Sequence, residues 1–432
     1  MPRVVVVGGG WAGCSAALAA RRAGMEAALL ERTDLLLGTG LVGGIMRNNG
    51  RFTATEEALA LGAGELFALT DSLARHRGLN FFGHHRASIY DVTQIEPRVA
   101  GHLRQAGVEV HLETRVVAAE VEGRRVVRVA ADCGPDQERR WFGGDASVDA
   151  TGSAGPQANC ARWGQGCAMC VLRCPSFGGR VSLVARVGIG ELCARGPGGT
   201  LGAISGSCEL LRESLDPALA AELTRSGVVR VPVPPDLRRP GHLEFKACQQ
   251  YALPEYGRFL VLLDNGQAKM MAPYFPLAAL RRLPGLERAR YLDPAAGGRG
   301  NSTRFWAIAP RDNSLRVQGT ANLLCAGEKA GTLVGHTAAI VTGWLAGHNA
   351  ARMALGLEPL SLPRSLAVGD LIAYSQEETR RPSALRLRYT FSGSVYLQRM
   401  RRLGLYTTDP EEVRARVRKT GLEGALGVRP SR

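Results

Sequence analysis

The sequence predicts an α/β protein, a doubly wound domain with a parallel sheet into which a smaller α+β region is inserted. Three observations carry this expectation. The chain starts with an apolar strand, a glycine turn and a helix rich in small residues. A strand, glycine loop and helix of the same kind return from Asn322 onward. Between about residues 155 and 310, glycine and proline become frequent and the periodicity fades.

Each element follows from its residues. Residues 1–31 read VVVVGGG, WAGCSAALAARRAG and MEAALLE, a strand–helix–strand unit. Ala12, Ala16, Ala17 and Ala20 form a small-residue face that lets the helix lie close on its sheet. From Val108 to Asp149 apolar and polar residues alternate, with a hairpin signal at Glu122-Gly123, so an antiparallel excursion is expected off the parallel sheet. PVPPDLRRPG marks an exposed loop within the insertion, and NLLCAG followed by HTAAIVTGWLAGHNAARMALG returns the chain to the first domain. The expected organisation is a first part over 1–155, an insertion over 156–310, a return segment over 311–362 and a basic helical tail over 363–432.

Composition narrows the class. The chain has 432 residues, 45% hydrophobic and 22% charged, as an ordinary globular protein does. No uncharged apolar run reaches the roughly eighteen residues of a membrane span. Nor does the start have the pattern of a secretory signal, so the expected location is cytoplasmic. In that reducing compartment ten cysteines ask for a metal or redox reading rather than disulfides. A net charge of +15, mostly from arginine, suits a polyanion such as RNA, and equally suits solvated arginine-rich faces.

Gly8, Gly10 and Gly13 fit G-x-G-x-x-G between a strand and a helix. Gly8 permits the tight turn, Gly10 lets backbone approach a pyrophosphate, Gly13 allows close helix packing, and the helix N-terminus attracts phosphate. Glu31 closes the second strand, where a carboxylate accepts ribose hydroxyls and repels a 2′-phosphate; Arg32 follows it. Two further stretches specify FAD. Val148-Asp149-Ala150-Thr151-Gly152 resembles the motif by which flavoproteins of the glutathione-reductase type return a strand to the cofactor, which brings in Thr151 and Gly152. Leu324-Cys325-Ala326-Gly327-Glu328 resembles their second acidic motif, with Glu328 on the ribityl chain beside Gly327, and with His336 and Thr337 at the start of the next helix. The Rossmann-like domain expected is therefore an FAD-binding one of that type.

Cys160, Cys167, Cys170 and Cys174 are spaced C-x6-C-x2-C-x3-C, with Pro175 after the last. This resembles the bacterial ferredoxin run and predicts a 4Fe-4S cluster, with zinc or unligated thiols as the alternatives. The run begins eight residues after Gly152, close enough to pass single electrons to a flavin, which converts between one-electron and hydride chemistry. Gly178-Gly179-Arg180 lies just beyond it. Cys14 reads as helix packing.

The segment CAGEKAGTLVGHTAAIVTGWLAGHNAA resembles the C-terminal flavin segment of the folate- and FAD-dependent tRNA (uracil-5-)-methyltransferases, the TrmFO family, and of the larger MnmG (GidA) family. Pro284-Gly285-Leu286-Glu287 and Arg299-Gly300-Asn301-Ser302-Thr303 agree in the same order. The resemblance implies a flavin reduced by NAD(P)H, methylenetetrahydrofolate as one-carbon donor, and reductive action on uridine in tRNA or rRNA. Glu244-Phe245-Lys246-Ala247-Cys248 is similar to the family's Phe-Glu-Gly-Cys segment, which makes Cys248 the candidate nucleophile or else a buried structural thiol. It further brings Arg47, Asn48 and Asn49 near the flavin's reactive face. Lys329 and His336 flank the expected flavin loop, where they either stabilise negative charge on the reduced ring or play a solvated or structural part. The chain departs from the family at Leu41-Val42-Gly43-Gly44, where the family has a cysteine, and in possessing the four-cysteine run. Two other readings stay open: a flavin and iron-sulfur oxidoreductase for a small metabolite or a ferredoxin-like partner, and an RNA-binding redox sensor without turnover.

Overall fold

A computed structural model describes residues 1–152, 176–193, 203–204, 208–238, 253–272, 275–292, 303–304 and 307–431. The parallel sheet is built from β1 (Arg3–Val7), β2 (Glu26–Leu30), β6 (Glu109–His111), β10 (Ala146–Asp149) and β19 (Leu323–Cys325), in the order β19-β10-β1-β2-β6. β1 pairs with β10 through Val4↔Ala146 to Val7↔Asp149, and with β2 through Arg3↔Glu26 to Val7↔Leu30. Val4 to Val7 are all buried, which is why this strand is an unbroken apolar run rather than an alternating one.

The helix α1 (Trp11–Arg22) packs on a helix from the far end of the chain, His336–Ala354 (α9 in chain order). Two glycines decide how closely. A Cβ on Gly343 would lie 2.2 Å from the Ala12 carbonyl oxygen, and one on Gly347 would lie 2.0 Å from that of Ala16. The small-residue face expected on α1 therefore meets a second one, and the backbones touch. This packing holds the N-termini of both helices beyond the carboxyl ends of the parallel strands, where open α/β sheets bind ligands.

The antiparallel excursion is present as β7 (Thr114–Glu122), β8 (Arg125–Cys133) and β9 (Glu138–Gly143), with Gly123 at φ +59 in the first turn. A second layer combines two further sheets. One is β3 (Ile45–Met46), β5 (His84–Tyr90) and β4 (Ala74–Phe81). The other is β13 (Cys208–Leu210), β16 (Ala268–Met270), β15 (Phe259–Asp264) and β14 (Val228–Pro232). Period-two alternation in β15 splits its side chains: Val261 and Leu263 pack with Ile45, Phe81 and Ile89, while Leu260 and Leu262 pack with Leu223, Leu280 and Leu286.

The C-terminal stretch is stitched to the body by buried polar contacts. Glu57, on α2 (Gly50–Ala60), accepts the amides of Ala367 and Val368 at 2.9 Å each, at the start of the helix Ala367–Glu378. Arg399 holds Asp370 with two hydrogen bonds of 2.7 and 2.8 Å, and the Trp344 indole donates to Leu426 O at 2.8 Å. Among the described residues no helix is long and apolar enough to cross a membrane.

Candidate functional site: a dinucleotide cleft

The cleft opens where β1, β2 and β10 end. Gly8 sits at φ +101, and a Cβ there would fall 2.6 Å from the Ala150 carbonyl oxygen, so only glycine fits between the two strands. A Cβ on Gly13 would lie 1.7 Å from Gly8 O, whereas one on Gly10 would meet nothing within 4 Å. Gly13 thus serves packing, and Gly10 faces open space. Neither Gly10, the N-cap of α1, nor Gly335, the N-cap of α9, provides a side-chain cap. Two helix N-termini, of 12 and 19 residues, therefore offer backbone N–H groups and positive dipole ends to one cleft.

Glu31 is 8% exposed and fixed by the glycine turn and by its own loop: Oε2 accepts the Gly9 amide at 2.7 Å, and Oε1 accepts the Thr33 amide and hydroxyl at 2.9 Å each. On the other wall Asp149 Oδ1 accepts from the Thr151 amide at 3.0 Å and its hydroxyl at 2.7 Å, while Oδ2 accepts the Val184 amide at 2.9 Å. Arg32 Nη1 donates to Gly178 O at 2.6 Å and Arg115 Nε to Gly179 O at 3.0 Å. The segment Gly178–Ser182 is thereby drawn against the cleft, with Arg180 and Val181 in its lining.

Gly8, Gly10, Glu31, Arg32, Thr151, Gly152, Gly327, Glu328 and His336 all line the cleft. Of the expected cofactor residues, Gly13 and Thr337 do not. Thr337 is wholly buried one residue into α9, turned about 100° from His336 by the helix, so it lies behind the wall. Lys329 does not line the cleft either, in keeping with the structural one of its expected roles. Its ammonium is fully buried away from the cleft, donating to Glu191 Oε1 at 2.6 Å and to Ser182 Oγ at 3.2 Å. Ser182 in turn donates to Glu191 at 2.6 Å.

His336 closes one end. Its Nδ1 lies 3.2 Å from the Tyr90 hydroxyl, its ring is 6.0 Å from that of Trp11, and burial pushes the Tyr90 phenol well above its ordinary value. A Cβ on Gly43 would lie 1.7 Å from His336 Cε1. The imidazole therefore fills the space a side chain at 43 would need, which accounts physically for glycine there. Arg47, Asn48 and Asn49 brace the neighbouring hairpin: Arg47 pairs with Glu56 at 2.5 Å and Asp71 at 2.6 Å, Asn48 lies 2.5 Å from His84, and Asn49 donates to Gly83 O at 2.7 Å. Burial beside Arg51 pulls the His84 pKa down to about 3, so this imidazole is neutral.

Cys14 is buried and donates to Gly9 O at 3.2 Å; burial raises its pKa, as befits a packing residue. Cys160, Cys167, Cys170, Cys174 and Cys248 lie outside the described residues. Among the described residues no cluster of His, Cys, Asp and Glu is arranged to hold a metal. Sequence reasoning missed Trp11 and the wall from Thr114 to Val116, which line the cleft without any motif to mark them.

The residues present fit a dinucleotide. Two uncapped helix N-termini suit a pyrophosphate, Glu31 after β2 suits a ribose, and Glu328 lines the cleft just past β19, two strands away from β1 in the sheet. The comparisons agree. Residues 3–156 match the FAD dependent oxidoreductase family, and residues 265–358 match the family described as Glucose inhibited division protein A. The fold is the Rossmann-like one of FAD-binding proteins.

Over part of its length the chain is similar to TrmFO and GidA proteins. It is 43% identical over 94 residues to the methylenetetrahydrofolate--tRNA-(uracil-5-)-methyltransferase TrmFO of Crocosphaera subtropica, a match covering 22% of this chain and 20% of that protein. The TrmFO of Microcystis aeruginosa is 40% identical over the same length and shares. Each match thus spans about a fifth of the relative's length. In three dimensions the chain resembles Aquifex aeolicus GidA, with a TM-score of 0.64 and 16% identity over 98% of this chain and 74% of GidA. That likeness is one of fold.

Proposed function

We propose that this protein is a cytoplasmic FAD-dependent oxidoreductase that acts reductively on uridine in RNA, drawing electrons through a 4Fe-4S cluster. The observation that carries the flavin part is the cleft itself, with two helix N-termini and the carboxylates of Glu31 and Glu328 in its lining. In this reading Gly8, Gly10 and the first turn of α1 bind the pyrophosphate, Glu31 orients the adenosine ribose, and Glu328 orients the ribityl chain. Thr151 and Gly152 close the wall, and Arg32 and Arg115 tie the Gly178–Ser182 segment over it. Bound FAD supplies the conversion between single electrons and a hydride. His336, hydrogen-bonded to Tyr90, holds a proton at Nδ1 or Nε2 at the end of the cleft, away from Glu31.

The RNA part is supported by the names and activity of the TrmFO relatives together with the basic charge of the chain. Methylenetetrahydrofolate and NAD(P)H enter as proposed co-substrates on the same ground. Cys248 is the proposed nucleophile, adding to the uracil ring so that the neighbouring carbon becomes nucleophilic. The cluster is supported by the spacing of Cys160, Cys167, Cys170 and Cys174, and by the position of the flanking residues. Gly152 before the run and Arg180 after it both line the cleft.

Two measurements test this. Anaerobically purified protein is expected to show flavin absorption and about four irons and four sulfides per chain; stoichiometric zinc removes the electron-supply claim. Transfer RNA and ribosomal RNA from a deletion strain are expected to lack a modified uridine by nucleoside mass spectrometry. An unchanged nucleoside profile refutes the RNA substrate and favours the small-metabolite or ferredoxin-linked reading.

A further inference from the structure

We propose that the β4–β5 hairpin, with the edge strand β14 and the short helix Glu255–Arg258, forms a docking surface for single-stranded or looped RNA. The identity of the polyanion rests on the function proposed above; the surface itself rests on charge and geometry. The four elements carry Arg75, Arg77, Arg86, Arg230 and Arg258 against one carboxylate, Glu255. Arg75 is engaged by Asp91 and Asp264. Arg77, Arg86, Arg230 and Arg258 are exposed, and none forms an ion pair with a carboxylate among the described residues. Exposed arginines elsewhere often are paired, as Arg128 is with Glu120 and Arg414 with Glu411, both at 2.8 Å.

Aromatic rings are interleaved with these charges. The Arg230 guanidinium lies 4.7 Å from the centre of the Phe82 ring, which Phe259 flanks at 5.7 Å and Tyr256 at 5.8 Å, and the Tyr256 hydroxyl donates to Phe82 O at 2.8 Å. Arg86 lies 5.4 Å from the Phe52 ring. Partly exposed rings beside guanidinium planes stack unpaired bases, and uncompensated arginines between them neutralise phosphates; an acidic protein would use only the charge. The surface also leads to the cleft. From Gly335 on the cleft wall, Arg51 packs close and donates to Asn48 Oδ1 at 3.3 Å, Asn48 meets His84 at 2.5 Å, and His84 stacks on Phe81 at 4.5 Å. A strand held on the hairpin is thus a few side chains away from the end of the cleft closed by His336.

The test is fluorescence anisotropy with labelled unfractionated transfer RNA at 50 and 200 mM KCl, on the full chain and the Arg86→Gln/Arg230→Gln variant. Losing two phosphate contacts reduces the salt slope by about 1.4, so the affinity loss is expected to be about sevenfold larger at 50 mM than at 200 mM. Flavin content and circular dichroism are expected to be unchanged, and the control Arg128→Gln/Arg414→Gln is expected to bind within about twofold of wild type. A variant that binds as wild type does, or a control that loses as much, overturns the placement. Lost binding to a polyglutamate probe with intact RNA binding overturns it in favour of an acidic protein partner. Wild type without RNA affinity at 50 mM KCl refutes the underlying RNA reading instead.

Discussion

Replacing Lys329 by methionine removes the ammonium from a site with no exposure, where it bridges Glu191 at 2.6 Å and Ser182 at 3.2 Å. The Glu191 carboxylate, only 9% exposed, then retains Ser182 as its one described hydrogen-bond donor. Breaking one side of a buried ion pair costs about 3–5 kcal/mol, a large part of the roughly 5–15 kcal/mol that stabilises a typical domain. Removing both charges costs less, because no uncompensated charge stays buried. Urea denaturation of wild type, Lys329→Met, Glu191→Gln and the double variant is therefore expected to give a coupling energy of about 2 kcal/mol or more. The single variants are also expected to retain less flavin, since Ser182 and Val184 help to hold the Thr151 wall through Asp149. Additive losses with full flavin retention would refute the reasoning, because they would mean that the two charges do not act as a unit.

Further predictions concern packing, protonation and thiols. Gly13→Ala is expected to abolish flavin retention and lower solubility, since its Cβ would meet Gly8 O at 1.7 Å; Gly10→Ala is expected to leave apo-protein stability unchanged while weakening flavin binding, as read by absorbance after gel filtration. Burial lifts the Glu57 pKa to about 7 in spite of its bonds to the Ala367 and Val368 amides, from an ordinary 4.5. The folded state thus binds the proton more tightly, so this group's contribution to stability is full below about pH 4.5 and is lost as pH rises through 7, by about 3 kcal/mol. Measured by urea midpoints, Glu57→Gln should gain on wild type between pH 5 and pH 8; a constant difference contradicts this. Burial raises Cys14 strongly and Cys325 to about 12, so brief maleimide treatment of native protein is expected to label exposed Cys193 before either, by peptide mass mapping.

The parallel sheet and the glycine turn were legible because each imposes a local pattern: an unbroken apolar run for β1, and glycines wherever backbone meets backbone. The antiparallel excursion was legible from alternation over Val108–Asp149. What the pattern does not carry is direction around a tight turn. Glu328 and Lys329 are neighbours, and in a 3-10 turn successive side chains diverge by about 120°, so one reaches the cleft and the other a buried ion pair. His336 and Thr337 separate likewise. The partners of the basic tail are illegible for another reason. Arg399 is spent on Asp370 and Arg416 approaches Glu57 at 3.6 Å, partners set by tertiary packing and not by spacing. The four-cysteine run carries its meaning in spacing alone.

The contact between Gly43 and His336 makes two positions, almost three hundred residues apart in the chain, a single choice. A side chain at 43 and the imidazole at 336 cannot share the space the ring now fills, so any substituent at 43 requires the ring to turn away. Grafting a thiol with Gly43→Cys alone should expel the ring, whereas coupling it to His336→Gly should restore room for both the backbone and the sulfur.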